Sequence, residues 1–157
     1  MTDRLRGWIL VVAQLALLGF LVLAPSGTAW PLPRAVRALG RFGGLLGAGA
    51  VVAGGLRLGS SARVHPAPTT GATLRTDGPY RYVRHPIYTG VLAIGASLAL
   101  TGRTLAHVVA FAALVAVLSI KAGFEERLLA DRFIDYSAYA ARTGRFLPRL
   151  GRRRGRR

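Results

Sequence analysis

Four long apolar runs, interrupted by almost no charge, constrain this chain more than any other feature. The first extends from about Trp8 to Ala24 and carries no charged residue. The second extends from about Val36 to Leu58, the third from Pro86 to about Thr101, and the fourth from Leu105 to about Ile120. A helix of about 17 residues is near the lower limit for crossing a bilayer. Within hydrocarbon a spanning segment must satisfy its own backbone groups, so each run is expected as a helix. The fold class is therefore all-α integral membrane: about four transmembrane helices, a cytoplasmic loop between the second and third, and a C-terminal amphipathic helix. A length of 157 residues suits one domain. We set it at residues 1–150, with the motif-bearing part at 60–150 and an Arg-rich tail, expected to be disordered, at 151–157.

The second run contains Gly43, Gly44, Gly47, Gly54 and Gly55. These are poor residues for a soluble helix. Between packed membrane helices they allow backbones to approach closely. Gly40 with Gly44, and Gly43 with Gly47, have the small-xxx-small spacing. That interface could lie within one chain or between chains, and the oligomeric state stays open. Thr101-Gly102-Arg103-Thr104 is a tight turn, which makes the third and fourth runs an antiparallel hairpin. Arg4 and Arg6 before an apolar run also suit a signal peptide. Pro25 to Trp30 makes a weak cleavage site and Trp30 suits an interfacial anchor, so a retained helix is the expectation.

Charge supplies the orientation. The chain has 22 Lys+Arg against 6 Asp+Glu, a net +16, and only 18% of its residues are charged. Such a balance can signal nucleic acid. Here the arginines flank apolar runs instead of coating a soluble surface, so membrane lipids are the expected partner and nucleic acid is not. With a cytoplasmic N-terminus, residues 1–7, the 57–85 loop and everything after about residue 120 share one side. They hold 18 of the 22 basic residues. The other side holds Arg34, Arg37, Arg41 and Arg103. This positive-inside pattern places both termini and the long loop in the cytoplasm, and a bacterial inner membrane is the expected location. No cysteine is present, which excludes disulfides and thiolate chemistry. The three histidines lack metal-ligand spacing, so no metal is expected; His107 is read as structural.

The loop from Arg63 to Tyr88 is too rigid and too polar to be a mere connector. It holds His65, Pro66, Pro68, Gly71, Asp77, and then Gly78-Pro79, which fixes a turn. Tyr80, Arg81, Tyr82, Arg84, His85 and Tyr88 follow where the chain re-enters the membrane. Glu125 and Glu126 lie beyond the fourth run. Past Ile120, Phe124, Leu128, Leu129 and Phe133 recur at helical spacing, which predicts an amphipathic continuation. Tyr136 and Tyr139 fit an interfacial position. Each group also has a plainer reading. The arginines could serve only the positive-inside bias, the tyrosines an aromatic belt, and the glutamates a solvated helix face.

Together, Gly78-Pro79-Tyr80-Arg81-Tyr82-Val83-Arg84-His85-Pro86-Ile87-Tyr88-Thr89-Gly90, Glu125-Glu126, Phe133, Tyr136, Tyr139 and Arg145-Phe146-Leu147-Pro148 resemble the isoprenylcysteine carboxyl methyltransferase family. The wider group includes phospholipid N-methyltransferases. The resemblance covers about residues 60–150. It implies S-adenosylmethionine as the cofactor, held on the cytoplasmic side. By position, contacts would come from His65, from Ala72-Thr73-Leu74-Arg75, from Tyr80, from His85-Pro86-Ile87-Tyr88 and from Glu125. The family has a substrate-contacting arginine four residues before that glutamate; here the residue is Lys121, which keeps the charge but loses the bidentate fork.

The resemblance implies methyl transfer to a lipophilic small molecule or lipid. A carboxylate or thiolate acceptor needs no general base, so proximity and orientation can carry the reaction. Arg84 and Lys121 are the candidates to orient such an anion, with Glu126 beside them. An amine acceptor would require a base, and Glu126 or His85 would then be the candidate. Carboxylate, amine and thiol all stay open, as does a non-catalytic role as a membrane interaction protein.

Overall fold

The computed structural model describes residues 3–58 and 74–149. All regular structure among these residues is helical. Helix α1 spans Asp3–Leu23 and α2 spans Arg34–Leu58. A short 3-10 turn at Gly78–Arg81 leads into α3, Pro86–Gly102. Helix α4 spans Leu105–Arg132 and α5 spans Tyr136–Arg142. By length and composition α1, α2 and α4 can each cross a membrane, and α3 is a shorter apolar helix of 17 residues.

The helices begin earlier than the apolar runs suggest. Helix α1 takes in Arg6 and α2 takes in Arg34, because a helix continues into the interface once the apolar stretch has formed it. Helix α4 does not stop near Ile120. It continues unbroken to Arg132, so the expected amphipathic helix is its last turns, and α5 is a separate short element.

The glycines of α2 are used within the chain, where α2 packs most extensively on α3. A methyl group on Gly47 would meet the Gly90 carbonyl oxygen at 2.6 Å, and one on Gly44 would meet Ser97 Oγ at 2.9 Å. Gly43 and Gly55 face open space. Gly90→Val would press on the Gly47 carbonyl and on Val51. We expect a loss of about 1–3 kcal/mol, read as a lower thermal midpoint in detergent, with Ala in place of Val costing less.

The α3–α4 hairpin closes as its turn chemistry dictates. Arg103 adopts the left-handed conformation at φ 55°. Thr104 caps α4 by accepting from the His107 backbone N–H at 3.2 Å. His107 is 2% exposed, and its Nδ1 lies 2.6 Å from Thr104 Oγ1. It is a structural residue, as its sequence position suggests. The core runs between helices around Leu21, Val91, Leu114 and Leu118. Helix α1 packs on α4, so that the two run in opposite directions with Phe20 against His107.

One end of this bundle gathers the start of α3, the end of α4 and α5. There the C-terminal segment returns to the loop. The Arg84 backbone N–H donates to the Gly144 carbonyl at 2.8 Å, and that of His85 donates to the Arg145 carbonyl at 3.2 Å. Thr89 Oγ1 donates to the Phe146 carbonyl at 2.8 Å. A side chain at Gly144 would collide with the Leu147 carbonyl, so the return requires glycine there. The return also buries Tyr136 and Tyr139, at 4% and 6% exposure. They line the inside of the fold, because α5 folds back onto the 3-10 turn: the Tyr139 hydroxyl donates to the Tyr80 carbonyl at 2.7 Å.

Candidate functional site

The His85-Pro86 step ends an extended stretch and starts α3, with proline in the first turn where no N–H is needed. This places Arg84 and His85 just before the helix and Tyr88 on its first turn. Glu125 and Glu126 approach from α4. The two elements meet at His85, whose Nδ1 lies 3.4 Å from Glu125 Oε2 and whose Nε2 lies 3.1 Å from Glu126 Oε1. A ring with a carboxylate on each nitrogen is satisfied when both nitrogens carry protons. Burial opposes the charged form, but the hydrogen bonds and charges of Glu125 and Glu126 outweigh it and raise His85 above its ordinary value.

Glu125 also accepts from the Tyr88 hydroxyl. The His85 and Tyr88 rings are stacked, with centroids 5.3 Å apart and planes 3° from parallel. The Phe146 ring also lies near His85, with centroids 6.1 Å apart and planes tilted by 60°. Glu126 holds the basic side of the cluster. It accepts from Arg84 Nε at 2.9 Å and from Arg145 Nη2 at 2.6 Å. Arg84 Nη1 further donates to the carbonyls of Ala140 and Thr143, capping the end of α5. Arg84 thus ties α3, α4 and α5 together.

Lys121 lies one turn before Glu125 on α4 and is 2% exposed. Its ammonium donates to Gln14 Oε1 of α1 at 3.0 Å and sits 5.0 Å from the Tyr88 ring centroid, a cation–π distance. Tyr80 is buried and its hydroxyl donates to the Gly54 carbonyl at 3.4 Å. Burial, then Tyr139 and Glu125, push this hydroxyl up, so it stays a neutral donor. Pro86 is buried and Ile87 packs where a side chain on Gly54 would stand. Leu74 is half-buried and Arg75 is exposed; neither joins the cluster. His65, Ala72 and Thr73 lie outside the described residues, as does the tail at 151–157.

The structure thus brings Arg84, His85, Tyr88, Glu125 and Glu126 into one hydrogen-bonded group, with Lys121 against the Tyr88 ring. Two members escape a reading of the sequence. Gln14 is the partner of Lys121, and its signal is a lone polar residue in an otherwise apolar span. Arg145 shares Glu126 with Arg84, and its signal is its place in the Arg-Phe-Leu-Pro stretch. Among the described residues, no group of three His, Asp or Glu side chains is arranged to hold a metal ion.

The His85 pairing carries a pH dependence. The folded state binds this proton more tightly than the unfolded chain, so its stabilisation is full below the ordinary pKa of 6.5. It falls above that and is lost as the pH rises through the raised value. We expect the thermal midpoint of the wild type to exceed that of His85→Gln most at about pH 6 and least at about pH 9. A gap that widens with pH would contradict this.

Comparison with known proteins places the chain in a family. A family model described as phospholipid methyltransferase matches residues 37–135. The cobalt-zinc-cadmium resistance protein CzcN of Cupriavidus metallidurans is 40% identical over 91 residues, which is 53% of this chain and 39% of that protein. The chain thus spans well under half the length of this curated relative.

Proposed function

The chain belongs to the phospholipid methyltransferase family, and from that premise we propose that it is an S-adenosylmethionine-dependent membrane methyltransferase acting on the head group of a lipophilic molecule. One observation carries the reading: His85 binds both Glu125 and Glu126, joining the entry of α3 to the end of α4. The donor set fits the cofactor. Glu125 is a carboxylate acceptor suited to a ribose diol. The flat His85 and Tyr88 rings suit a purine neighbour, and backbone N–H groups and arginines suit a carboxylate. When bound, S-adenosylmethionine supplies a methyl group already activated on a sulfonium.

The remaining work falls to the chain itself. Tyr88 and His85 fix Glu125, and Arg84 and Arg145 fix Glu126. Lys121, buried beside Tyr88, would orient an anionic acceptor. The apolar helix faces would admit a lipophilic acceptor from the bilayer and exclude water at the reacting atoms. The geometry favours a carboxylate or other anionic head group over an amine. An amine must lose a proton, and the nearby bases are occupied: His85 has a carboxylate on each nitrogen, and Glu126 is shared among His85, Arg84 and Arg145. A phospholipid amine acceptor is the second reading, favoured by the description of the family model; a small thiol is the third. We further propose that the site faces the cytoplasm, that both termini do as well, and that the membrane is the bacterial inner membrane.

The test is incubation of purified protein with methyl-labelled S-adenosylmethionine and, separately, prenylcysteine analogues, total membrane lipid and small thiols. Label in the carboxylate-bearing lipophile supports the first reading. Label in phosphatidylethanolamine alone replaces it with the second. No label in any acceptor, from protein that is folded, returns the chain to a non-catalytic membrane role.

A further inference from the structure

The end of the bundle opposite the site has an unbalanced charge. It gathers the start of α2, the end of α3 and the loop between α1 and α2: Gly27 N–H donates to the Gly102 carbonyl at 2.8 Å, and Ala29 N–H donates to that of Arg103 at 3.0 Å. Arg34, Arg37, Arg41 and Arg103 lie here. The six acidic residues are Asp3, Asp77, Glu125, Glu126, Asp131 and Asp135. Each lies at the start of α1, just before the 3-10 turn, or at the end of α4 and beyond, all at the site end. Arg103 is committed to the Trp30 carbonyl, at 2.8 Å from Nε and 2.6 Å from Nη2. Arg34 and Arg41 are exposed, and no hydrogen bond or ion pair engages them among the described residues. Arg37 makes one long contact, 3.5 Å to the Leu32 carbonyl, and its Nε is buried with no partner.

Arg34, Arg37 and Arg41 fall on one face of α2, in its first turns. A helix start carries partial positive charge, which makes it a poor place for three cations unless an anion joins them. The same face continues through Gly44 and Ala48 into a groove of about 470 Å³, lined by Arg41, Gly44 and Ala48 of α2 and by Ile94, Ser97 and Leu98 of α3. The groove is overwhelmingly apolar below its arginine. Cations above an apolar trough match a phosphate above an acyl chain. A second copy of this chain would bring the same arginines and no acid from this end. A free phosphate would leave the trough unused.

We propose that this end of α2 and α3 binds an anionic phospholipid, its phosphate held by Arg37 and Arg41 and an acyl chain lying in the groove. The lipid is a structural ligand in the leaflet away from the methyl-transfer site, so it stands or falls separately from the proposed activity. Its energetic scale is set by charge, at about 1 kcal/mol per arginine near a lipid surface, or about five-fold in affinity.

The experiment is native mass spectrometry of the full chain in mild detergent, with added phosphatidylglycerol or phosphatidylcholine. The wild type should retain phosphatidylglycerol in preference to phosphatidylcholine. Arg37→Gln and Arg41→Gln should each cut that retention about five-fold. Ala48→Phe should cut it by filling the groove while leaving the charges in place. Arg57→Gln, at the other end, should leave it unchanged. Circular dichroism of each variant confirms that helicity is kept. Equal retention of the two lipids, or undiminished phosphatidylglycerol on Arg41→Gln and Ala48→Phe, overturns the proposal. So does a change of oligomeric mass in Arg41→Gln without loss of lipid, which would assign the face to a chain–chain contact.

Discussion

Replacing Glu126 with alanine is expected to destabilise the protein by about 3–5 kcal/mol, because it leaves partly buried cations without their counter-charge. Glu126 accepts from Arg84 at 2.9 Å, from His85 at 3.1 Å and from Arg145 at 2.6 Å. Its side chain is 14% exposed and that of Arg84 is 13% exposed, so water cannot take its place at every donor. The consequence spreads beyond the ion pairs. Arg84 also caps α5 through Ala140 and Thr143, and α5 holds Tyr139 against Tyr80. Loss of Glu126 should therefore loosen the whole Thr143–Phe146 return. Denaturation followed in detergent reads the stability, and hydrogen exchange at Arg84 and His85 N–H reads the return. Glu126→Gln should cost less, since it keeps an acceptor but not the charge. A midpoint for Glu126→Ala equal to that of the wild type would contradict this picture.

The second large effect concerns Lys121. A lysine at 2% exposure is expensive to bury, and among the described residues its ammonium meets Gln14 and the face of Tyr88, with the Glu125 charge one turn away. Methionine matches its shape and removes the charge, so Lys121→Met should fold, at the cost of an unmet Gln14 amide. Under the proposed function its turnover of an anionic acceptor should fall by about 10²–10³, the range for losing one preorganised charge at the reacting group. Cofactor affinity should stay within about two-fold, since a structural role alone would predict no such split. Lys121→Arg should restore part of the rate. Steady-state kinetics with separate titration of the two substrates make the check; equal losses in both affinities would remove Lys121 from acceptor orientation.

The parts of this molecule that follow from local pattern were readable in advance. Apolar runs give α1 to α4, because hydrocarbon forces backbone groups into helices. The Gly-rich face of α2 announces close packing, though not whether Gly47 meets Gly90 of its own chain. Around the site, Arg84, His85 and Tyr88 are near neighbours in sequence and Glu125 and Glu126 adjacent, so their grouping needs only the α3–α4 hairpin. What was hidden depends on distant chain segments meeting. The docking of Gly144 and Arg145 onto Val83 to His85 is made by backbone groups, so the partner segment does not follow from the residues alone. Gln14 and Lys121 are paired only because α1 packs on α4. The burial of Tyr136 and Tyr139 likewise depends on α5 turning inward.

Isothermal titration of S-adenosylmethionine into the purified protein in detergent tests the central claim most directly. The account predicts saturable binding at one site by the wild type, and its loss in both Glu125→Ala and Tyr88→Ala, since the Tyr88 hydroxyl and His85 hold the Glu125 carboxylate in place. Binding of equal affinity in the two variants, or none by the folded wild type, would contradict it.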